Sequence, residues 1–252
     1  MHLVSKKERV IVVGLGEVGK PLFDLEAERH EAIGVDLAPV EAAGKVDVLH
    51  ICIPFEIPDF IGESTRYIDL YRPDLTVINS TVGIGTTRAV AERSGAVVVN
   101  SPIRGKHARM LDELRMYTKF IGAMDPAAAK RAADHFESIG MKTKVLSSPE
   151  ATELAKLTET TYFGVLIAWA QEVERYCDQL GVSYDEVVSI YEEIKYLPQV
   201  KFFPGVIGGH CVMPNIEILK QFTKSDLLLA IKHSNLQKIA RESGRCSPVG
   251  TA

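Results

Sequence analysis

Residues 9–19 are Arg-Val-Ile-Val-Val-Gly-Leu-Gly-Glu-Val-Gly. The β-branched run 9–13 predicts a buried parallel strand, and the glycines after it have the spacing G-x-G-x-x-G. A helical segment, 20–29, and a second strand, 32–35, come next. In this arrangement the first glycine allows a tight turn, the second lets a pyrophosphate approach the backbone, and the third lets helix and strand pack closely. The stretch therefore predicts a dinucleotide-binding fold, with a ligand-free strand–helix turn as the alternative.

The acidic residue after the second strand indicates which dinucleotide would bind. Asp36 lies 20 residues after Gly16. At this distance a carboxylate can accept hydrogen bonds from the ribose hydroxyls, and its charge would repel a 2′-phosphate. The predicted cofactor is therefore NAD rather than NADP.

Strands and helices continue to alternate through the first half of the chain. The pattern predicts strands at 46–53, 76–79, 96–100, 117–122 and 143–146, with helices at 61–71, 85–94 and 126–139. The span between Asp36 and Val46 has room only for an abbreviated crossover. Ligands of an open parallel sheet bind outside the carboxyl ends of its strands. The predicted cofactor-binding residues are Gly14, Gly16, Glu17, Val18, Gly19, Asp36, Ile53, Pro54 and Thr81. Capping a turn is an equally good interpretation of Thr81.

The second half of the chain begins with an unusually long helical pattern. Apolar residues recur at helical spacing from 151 to 180 without a proline, which corresponds to a helix of roughly 45 Å. Its apolar stripe belongs either to the core or to a dimer interface. Shorter helices are predicted at 183–194, 216–222 and 226–242. The predicted fold is α/β: a Rossmann-type doubly wound sheet at 1–149, then a small all-α domain at 150–252 built on the long central helix.

A glycine-rich loop lies within the helical half. Residues 205–211 are Gly-Val-Ile-Gly-Gly-His-Cys, and the glycines permit tight folding and close approach to a ligand. Cys211 is either a nucleophile or a small buried thiol, and His210 is expected to hold the loop.

Bulk properties exclude several classes of partner. The net charge of −4 gives no basic surface for nucleic acid, and no apolar run reaches the roughly 18 residues of a membrane span. The N-terminal segment lacks the apolar core of a signal peptide. The four cysteines, Cys52, Cys177, Cys211 and Cys246, are far apart and form no metal-binding pair. We expect reduced thiols, no metal, a cytoplasmic location and a small-molecule substrate.

Five segments together resemble the UDP-glucose/GDP-mannose dehydrogenase family, over nearly the whole chain. They are Gly14 to Gly19, Ser80-Thr81-Val82 with Gly85-Thr86-Thr87, Asn100-Ser101-Pro102, Glu150 to Leu157, and Pro204 to Cys211. The resemblance implies NAD-dependent oxidation of a sugar-nucleotide alcohol to an acid, and a homodimer formed through the 151–180 helix. It also implies that Cys211 attacks the intermediate aldehyde, that Lys156 stabilises charge on the substrate oxygen, and that Thr81 lies near the cofactor and the catalytic water.

The sequence departs from that family in ways that affect the substrate side. The family's glutamate after the Ser-Pro pair is Ile103 here, its asparagine on the long helix is Thr160, and its aspartate after the cysteine is Asn215. An aliphatic side chain cannot transfer a proton. The chain is also expected to be a short member without the C-terminal UDP-binding domain. We therefore expect a smaller or differently held substrate, and either a two- or a four-electron oxidation.

Two further interpretations remain open. A two-electron dehydrogenase resembling the 3-hydroxyacid or 6-phosphogluconate group would use Lys156 without Cys211. A non-catalytic NAD-binding dimer module would use neither residue.

Overall fold

The computed structural model describes residues 7–38, 40, 42, 44–105, 109–197, 202–209 and 211–244. The chain divides into two compact units, residues 1–156 and 157–252. His210 and Cys246, to which the sequence assigned a loop-holding role and a reduced thiol, lie outside the described residues.

The first unit is built on one seven-stranded sheet with strand order β2-β1-β3-β4-β5-β6-β7. The strands are β1 (Arg9–Val13), β2 (Glu31–Val35), β3 (Val48–Ile51), β4 (Leu75–Ile78), β5 (Val98–Asn100), β6 (Lys119–Gly122) and β7 (Thr143–Leu146). All neighbours pair in parallel except β5 and β6, which are antiparallel. The sheet is therefore mixed, since β6 reverses direction after β5.

Helices cover both faces of this sheet. They are α1 (Gly19–Ala27), α2 (Phe60–Tyr71), α3 (Thr86–Ser94), α4 (Met110–Met116) and α5 (Pro126–Ser138). Side chains alternate along each strand, so Val48 packs in the cluster that contains α1, α4 and α5, whereas Leu49 packs in the cluster that contains α2 and α3. Burial on both faces explains the continuous apolar runs of the strands and confirms the Rossmann-type, doubly wound prediction.

The sequence pattern predicted one irregular connection in this unit and missed one short helix. The described residues between β2 and β3 form no helix, as the short span after Asp36 predicts. The pattern did not predict α4, which has only seven residues and no side-chain cap at its first turn.

The described residues of the second unit form helices and no strand, which confirms the prediction of an all-α half. The long helix α6 (Pro149–Leu180) starts within the first unit and ends within the second. Its first residue is a proline, which a first helical turn tolerates. The helices that follow are α7 (Tyr184–Ser189), a 3-10 helix (Ile190–Glu193), α8 (Val212–Phe222) and α9 (Asp226–Glu242).

A glycine allows two of these helices to pack closely. A Cβ on Gly164 of α6 would lie 2.7 Å from Val212 Cγ1 at the start of α8. Ile216 and Ile231 are almost completely buried next to it.

No helix among the described residues has both the length and the apolar character of a membrane span.

Candidate functional site

Three glycines shape the turn between β1 and α1. Gly14 has φ +87°, and a Cβ there would lie 2.8 Å from the carbonyl oxygen of Cys52. A Cβ on Gly19 would overlap the carbonyl oxygen of Gly14. Gly16 differs, because a Cβ there would have no atom within 4 Å. Gly14 and Gly19 therefore close the turn, while Gly16 leaves open the face from which a pyrophosphate would approach.

The residues around this turn lie at the start of α1 and just after β2. Val18, the residue before α1, makes no side-chain cap hydrogen bond, so the cap position itself supplies no acceptor that would compete with an outside anion. Glu17 is exposed. Asp36, also exposed, accepts a long hydrogen bond of 3.4 Å from the backbone N of Leu15. The carboxylate thus lies beside the turn, where a ribose could reach it.

The remaining predicted cofactor residues leave the sheet at the same edge. Val13 of β1 pairs with Ile51 of β3, which pairs with Ile78 of β4, so the segments after all three strands emerge together. The Ser80 hydroxyl donates to the carbonyl oxygen of Ile53 at 2.6 Å. This bond joins the segment with Ile53 and Pro54 to the segment with Thr81, which is half-buried.

The first turns of α6 are fixed against the N-terminus of α3. The buried Glu153 carboxylate accepts from the backbone N of Gly85 at 2.7 Å, and from the backbone N and hydroxyl of Thr87 at 2.8 and 2.6 Å. Glu150 accepts from Arg88 at 2.7 Å. Lys156, half-buried, follows Glu153 by three residues. Glu153 therefore fixes the helical segment that carries Lys156.

Glu153→Gln should destabilise the protein far more than Glu150→Gln. The new amide would turn an N–H group toward one of the donors, and a buried donor without an acceptor costs about 2 kcal/mol. The exposed Glu150–Arg88 pair should contribute less than about 1 kcal/mol. Urea unfolding, monitored by circular dichroism, would measure the stability loss of each variant. Equal midpoints for the two variants would contradict this account of the α3 cap.

A buried amine lies at the same edge of the sheet. Lys119 donates to Asn79 Oδ1 at 2.9 Å and to the carbonyl oxygen of Ser101 at 2.5 Å. Burial lowers the pKa of Lys119 to about 7, and the charge of Lys156 lowers this pKa further, against the opposing effect of Cys52. Lys156 therefore acts electrostatically on the carboxyl edge of the sheet.

Ile103, the first departure from the family pattern, is part of the hydrophobic core. It is 5% exposed and packs in the cluster that contains α4 and α5. The aliphatic side chain at this position can neither donate nor accept a proton.

In the second unit, polar side chains fix the glycine-rich loop. Asn235 of α9 accepts from the backbone N of Ile207 at 2.7 Å and donates to its carbonyl oxygen at 3.0 Å. Gln171 of α6 donates to the carbonyl oxygen of Gly205 at 2.7 Å. Gly209 has φ +77°, and Cys211 lies exposed directly before α8. The loop therefore presents the Cys211 thiol to solvent from an anchored backbone.

The other two departures contact each other. Asn215 Nδ2 donates to Thr160 Oγ1 at 2.7 Å, and both residues are buried. Thr160 Oγ1 in turn donates to the carbonyl oxygen of Leu157. The two substitutions are thus complementary, and together they form a neutral pair between α6 and α8.

Cys211 should be the first of the described cysteines to react with iodoacetamide. Although part of Cys52 reaches the surface, burial of its thiol raises the pKa to about 12, and only the thiolate is nucleophilic. Cys177 is buried. Peptide mapping by mass spectrometry should find Cys211 alkylated while Cys52 and Cys177 remain unmodified until the protein unfolds. Early labelling of Cys52 would contradict this expectation.

Sequence reasoning missed a buried charged cluster in the first unit. Glu26, His50 and His135 are at most 1% exposed. Burial alone would lower the pKa of His135, but the carboxylates of Glu26 and Glu8 raise it to about 9. Burial alone would raise the pKa of Glu26, but the two histidines hold it well below its usual range. The one sequence feature that could have indicated this cluster is His50, a polar residue inside the otherwise apolar strand β3.

Comparison with known proteins agrees with this architecture. Residues 150–237 match the model of the UDP-glucose/GDP-mannose dehydrogenase family, central domain. A UDP-N-acetyl-D-mannosamine dehydrogenase of Methanococcus vannielii is 25% identical over 262 residues, covering 84% of this chain and 61% of the relative. An NDP-N-acetyl-D-galactosaminuronic acid dehydrogenase of Ralstonia solanacearum is 29% identical, covering 81% and 62%. The chain spans about three fifths of the length of these curated relatives.

Solved structures share the fold. A UDP-D-ManNAc dehydrogenase from Pyrococcus horikoshii superposes with a TM-score of 0.81 at 21% identity, covering 94% of this chain and 70% of that one. A 3-hydroxyisobutyrate dehydrogenase from Mycobacterium tuberculosis gives 0.70 at 17% identity, covering 94% of both chains. With its matched central domain and its similarity to these relatives along most of its length, the chain resembles the UDP-glucose/GDP-mannose dehydrogenase family.

Proposed function

We propose that the domain predicted at 1–149 binds NAD and that the protein is an NAD-dependent dehydrogenase. The observation that carries this proposal is the Gly14–Gly19 turn, closed at both ends and open at Gly16, with Asp36 beside it. Ile53, Pro54 and Thr81 leave the sheet at the same edge and would contact the rest of the cofactor. The glycine positions fit the pyrophosphate, and Asp36 fits the ribose diol.

The proposed reaction is oxidation of a CH–OH group, or of the aldehyde derived from it. Bound NAD supplies the hydride acceptor. The Lys156 ammonium stabilises negative charge on the substrate oxygen as its proton leaves. In the aldehyde stage the Cys211 sulfur adds to the carbonyl carbon, which gives a tetrahedral thiohemiacetal. Transfer of a hydride from that carbon to a second NAD, with loss of the hydroxyl proton, would leave a thioester, and water would hydrolyse it to the acid and the free thiol.

The substrate is proposed to be smaller than a sugar nucleotide, or held differently. Support comes from Ile103, which lies in the core, and from the neutral Thr160–Asn215 pair. The family pattern has ionisable groups at two of these positions, and Ile103 and Asn215 supply none there for the thioester stage.

The direct test is turnover with NAD and a panel of nucleotide sugars, short hydroxyacids and the matching aldehydes. Appearance of NADH with one panel member would support the proposal. Two NADH and an acid per alcohol would show a four-electron oxidation, whereas one NADH and an aldehyde or ketone would show a two-electron reaction. Tight NAD binding without NADH from any of them would indicate the non-catalytic module instead.

A second candidate is a two-electron dehydrogenase of the 3-hydroxyacid type. It is favoured by the 3-hydroxyisobutyrate dehydrogenase of similar length, which shares the fold over 94% of both chains. This candidate requires Lys156 but not Cys211.

We also propose that the chain forms a homodimer through the 151–180 helix. Tyr162, Trp169 and Tyr176 recur every seven residues on α6, and each is about half exposed. A stripe with this spacing follows one face of a helix and suits a helical partner. Sedimentation velocity at micromolar concentration should show a dimer, and a monomer at every concentration would refute the proposed dimer.

We also propose a cytoplasmic location, which the free thiols of Cys52, Cys177 and Cys211 support.

A further inference from the structure

Three buried side chains of the first unit meet between the sheet and its helices. Glu26 is on α1, His50 on β3 and His135 on α5. His50 projects from the same strand face as Val48, which packs in the cluster containing α1 and α5. Three separate elements therefore each contribute one potential metal ligand to a single point in the interior.

The three ligand atoms have the spacing of a coordination site. The Nε2 atoms of His50 and His135 are 3.1 Å apart, and Glu26 Oε1 lies 3.1 Å from the first and 3.0 Å from the second. A tetrahedral zinc ion with bonds of ~2.0–2.1 Å holds its ligand atoms about 3.3 Å apart. The triangle is therefore close in size to one face of such a site, and imidazole nitrogen and carboxylate oxygen are ligands that zinc accepts.

The second carboxylate oxygen provides an independent observation. Glu26 Oε2 is buried and makes no hydrogen bond with any described residue. A buried polar atom without a partner is uncommon, and an ion is one of its ordinary explanations. If the Glu26 carboxylate binds through both oxygens, the two imidazoles complete four bonds.

The histidine on α5 has the outer hydrogen bond that metal-binding histidines use. His135 Nδ1 donates to Glu8 Oε2 at 2.6 Å, and Arg131 donates to the other Glu8 oxygen at 2.6 Å. A carboxylate on the second ring nitrogen fixes the tautomer and orients Nε2 toward an ion.

The histidine on β3 has an amide as its outer partner. Asn79 Nδ2 lies 3.0 Å from His50 Nδ1. Binding through Nε2 places the proton on Nδ1, so Asn79 must rotate its amide to present oxygen. The rotation breaks the bond from Lys119 to Asn79 and the longer bond from Asn79 to the Val77 carbonyl, while Lys119 keeps its bond to the Ser101 carbonyl.

We propose that Glu26, His50 and His135 bind one Zn²⁺ ion, which ties α1, β3 and α5 together inside the sheet domain. The site is structural, because the three side chains are at most 1% exposed in the part of the chain that the structure describes.

Metal content of the full-length protein tests this assignment. Protein produced with added Zn²⁺ and passed through a desalting column should keep one zinc ion per chain. Inductively coupled plasma mass spectrometry would measure this metal content. Refolding with Co²⁺ should give the visible absorption bands of tetrahedral cobalt, and a chelator should lower the melting temperature. Wild-type protein with no retained zinc and no cobalt bands would overturn the proposal and leave an ion-pair network only.

Variants locate the ion if one is retained. His50→Gln and His135→Gln should lose it, whereas His30→Gln should keep it, because His30 is buried nearby but outside the triangle. Cys211→Ala should also keep it, which excludes binding to the exposed thiol. Zinc retained by both triangle variants, or lost only with His30 or Cys211, would place the ion elsewhere and contradict the assignment.

Discussion

Gly16→Val is expected to abolish measurable NAD binding while leaving the fold intact. A Cβ at Gly16 meets no atom within 4 Å, so the isopropyl group would project into the space that we propose for the pyrophosphate. We expect the affinity to fall roughly a hundredfold or more, which is about 2.8 kcal/mol. Calorimetric titration would measure the affinity, and thermal unfolding the integrity of the fold.

Ala27→Val is the matched control for this substitution. It places the same isopropyl side chain at the exposed last residue of α1 and should leave the affinity for NAD unchanged. If Gly16→Val bound NAD as tightly as the parent, the turn would not be the pyrophosphate site. A collapse of its melting temperature would instead show that the open face at Gly16 is misassigned.

The second large effect is expected from Lys156→Ala, assayed with whichever substrate the panel identifies. Loss of the ammonium should lower kcat by about 10²–10³, the usual effect of removing one group that stabilises an oxyanion. Lys224→Ala, which removes an exposed lysine, should have no effect. Full activity of Lys156→Ala would remove this lysine from the mechanism.

Cys211→Ala separates the two dehydrogenase proposals. If the thiol adds to the aldehyde, the variant should lose acid formation by at least a hundredfold, about 2.7 kcal/mol, and should still oxidise the alcohol. A 3-hydroxyacid-type enzyme should be inactivated by Lys156→Ala alone. If Cys211→Ala and the parent oxidise the aldehyde at equal rates, Cys211 is not the nucleophile.

The features that the sequence predicted well depend on local spacing. The turn at Gly14–Gly19 and the acid at Asp36 lie within one strand–helix–strand unit, and the alternation of elements then places Ile53, Pro54 and Thr81 at one edge of the sheet. The long helix α6 was predictable because its apolar period runs unbroken from 151 to 180. Each of these patterns is a short-range consequence of backbone geometry.

The features that escaped prediction depend on contacts between distant segments. His50 and His135 are 85 residues apart, and no pattern indicated that they meet over Glu26. Glu153 caps α3 from 66 residues away at Thr87. Thr160 and Asn215 were two separate departures in the sequence, and only the fold shows that they form one hydrogen-bonded pair.

Our central proposal is that the first unit binds NAD, and it rests on the geometry at Gly16 and Asp36. Calorimetric titration of the full chain with NAD and with NADP tests that claim most directly. The account predicts one NAD per chain, with an affinity at least about tenfold, or 1.4 kcal/mol, better than that for NADP because Asp36 repels a 2′-phosphate. Absence of NAD binding, or tighter binding of NADP, would contradict it.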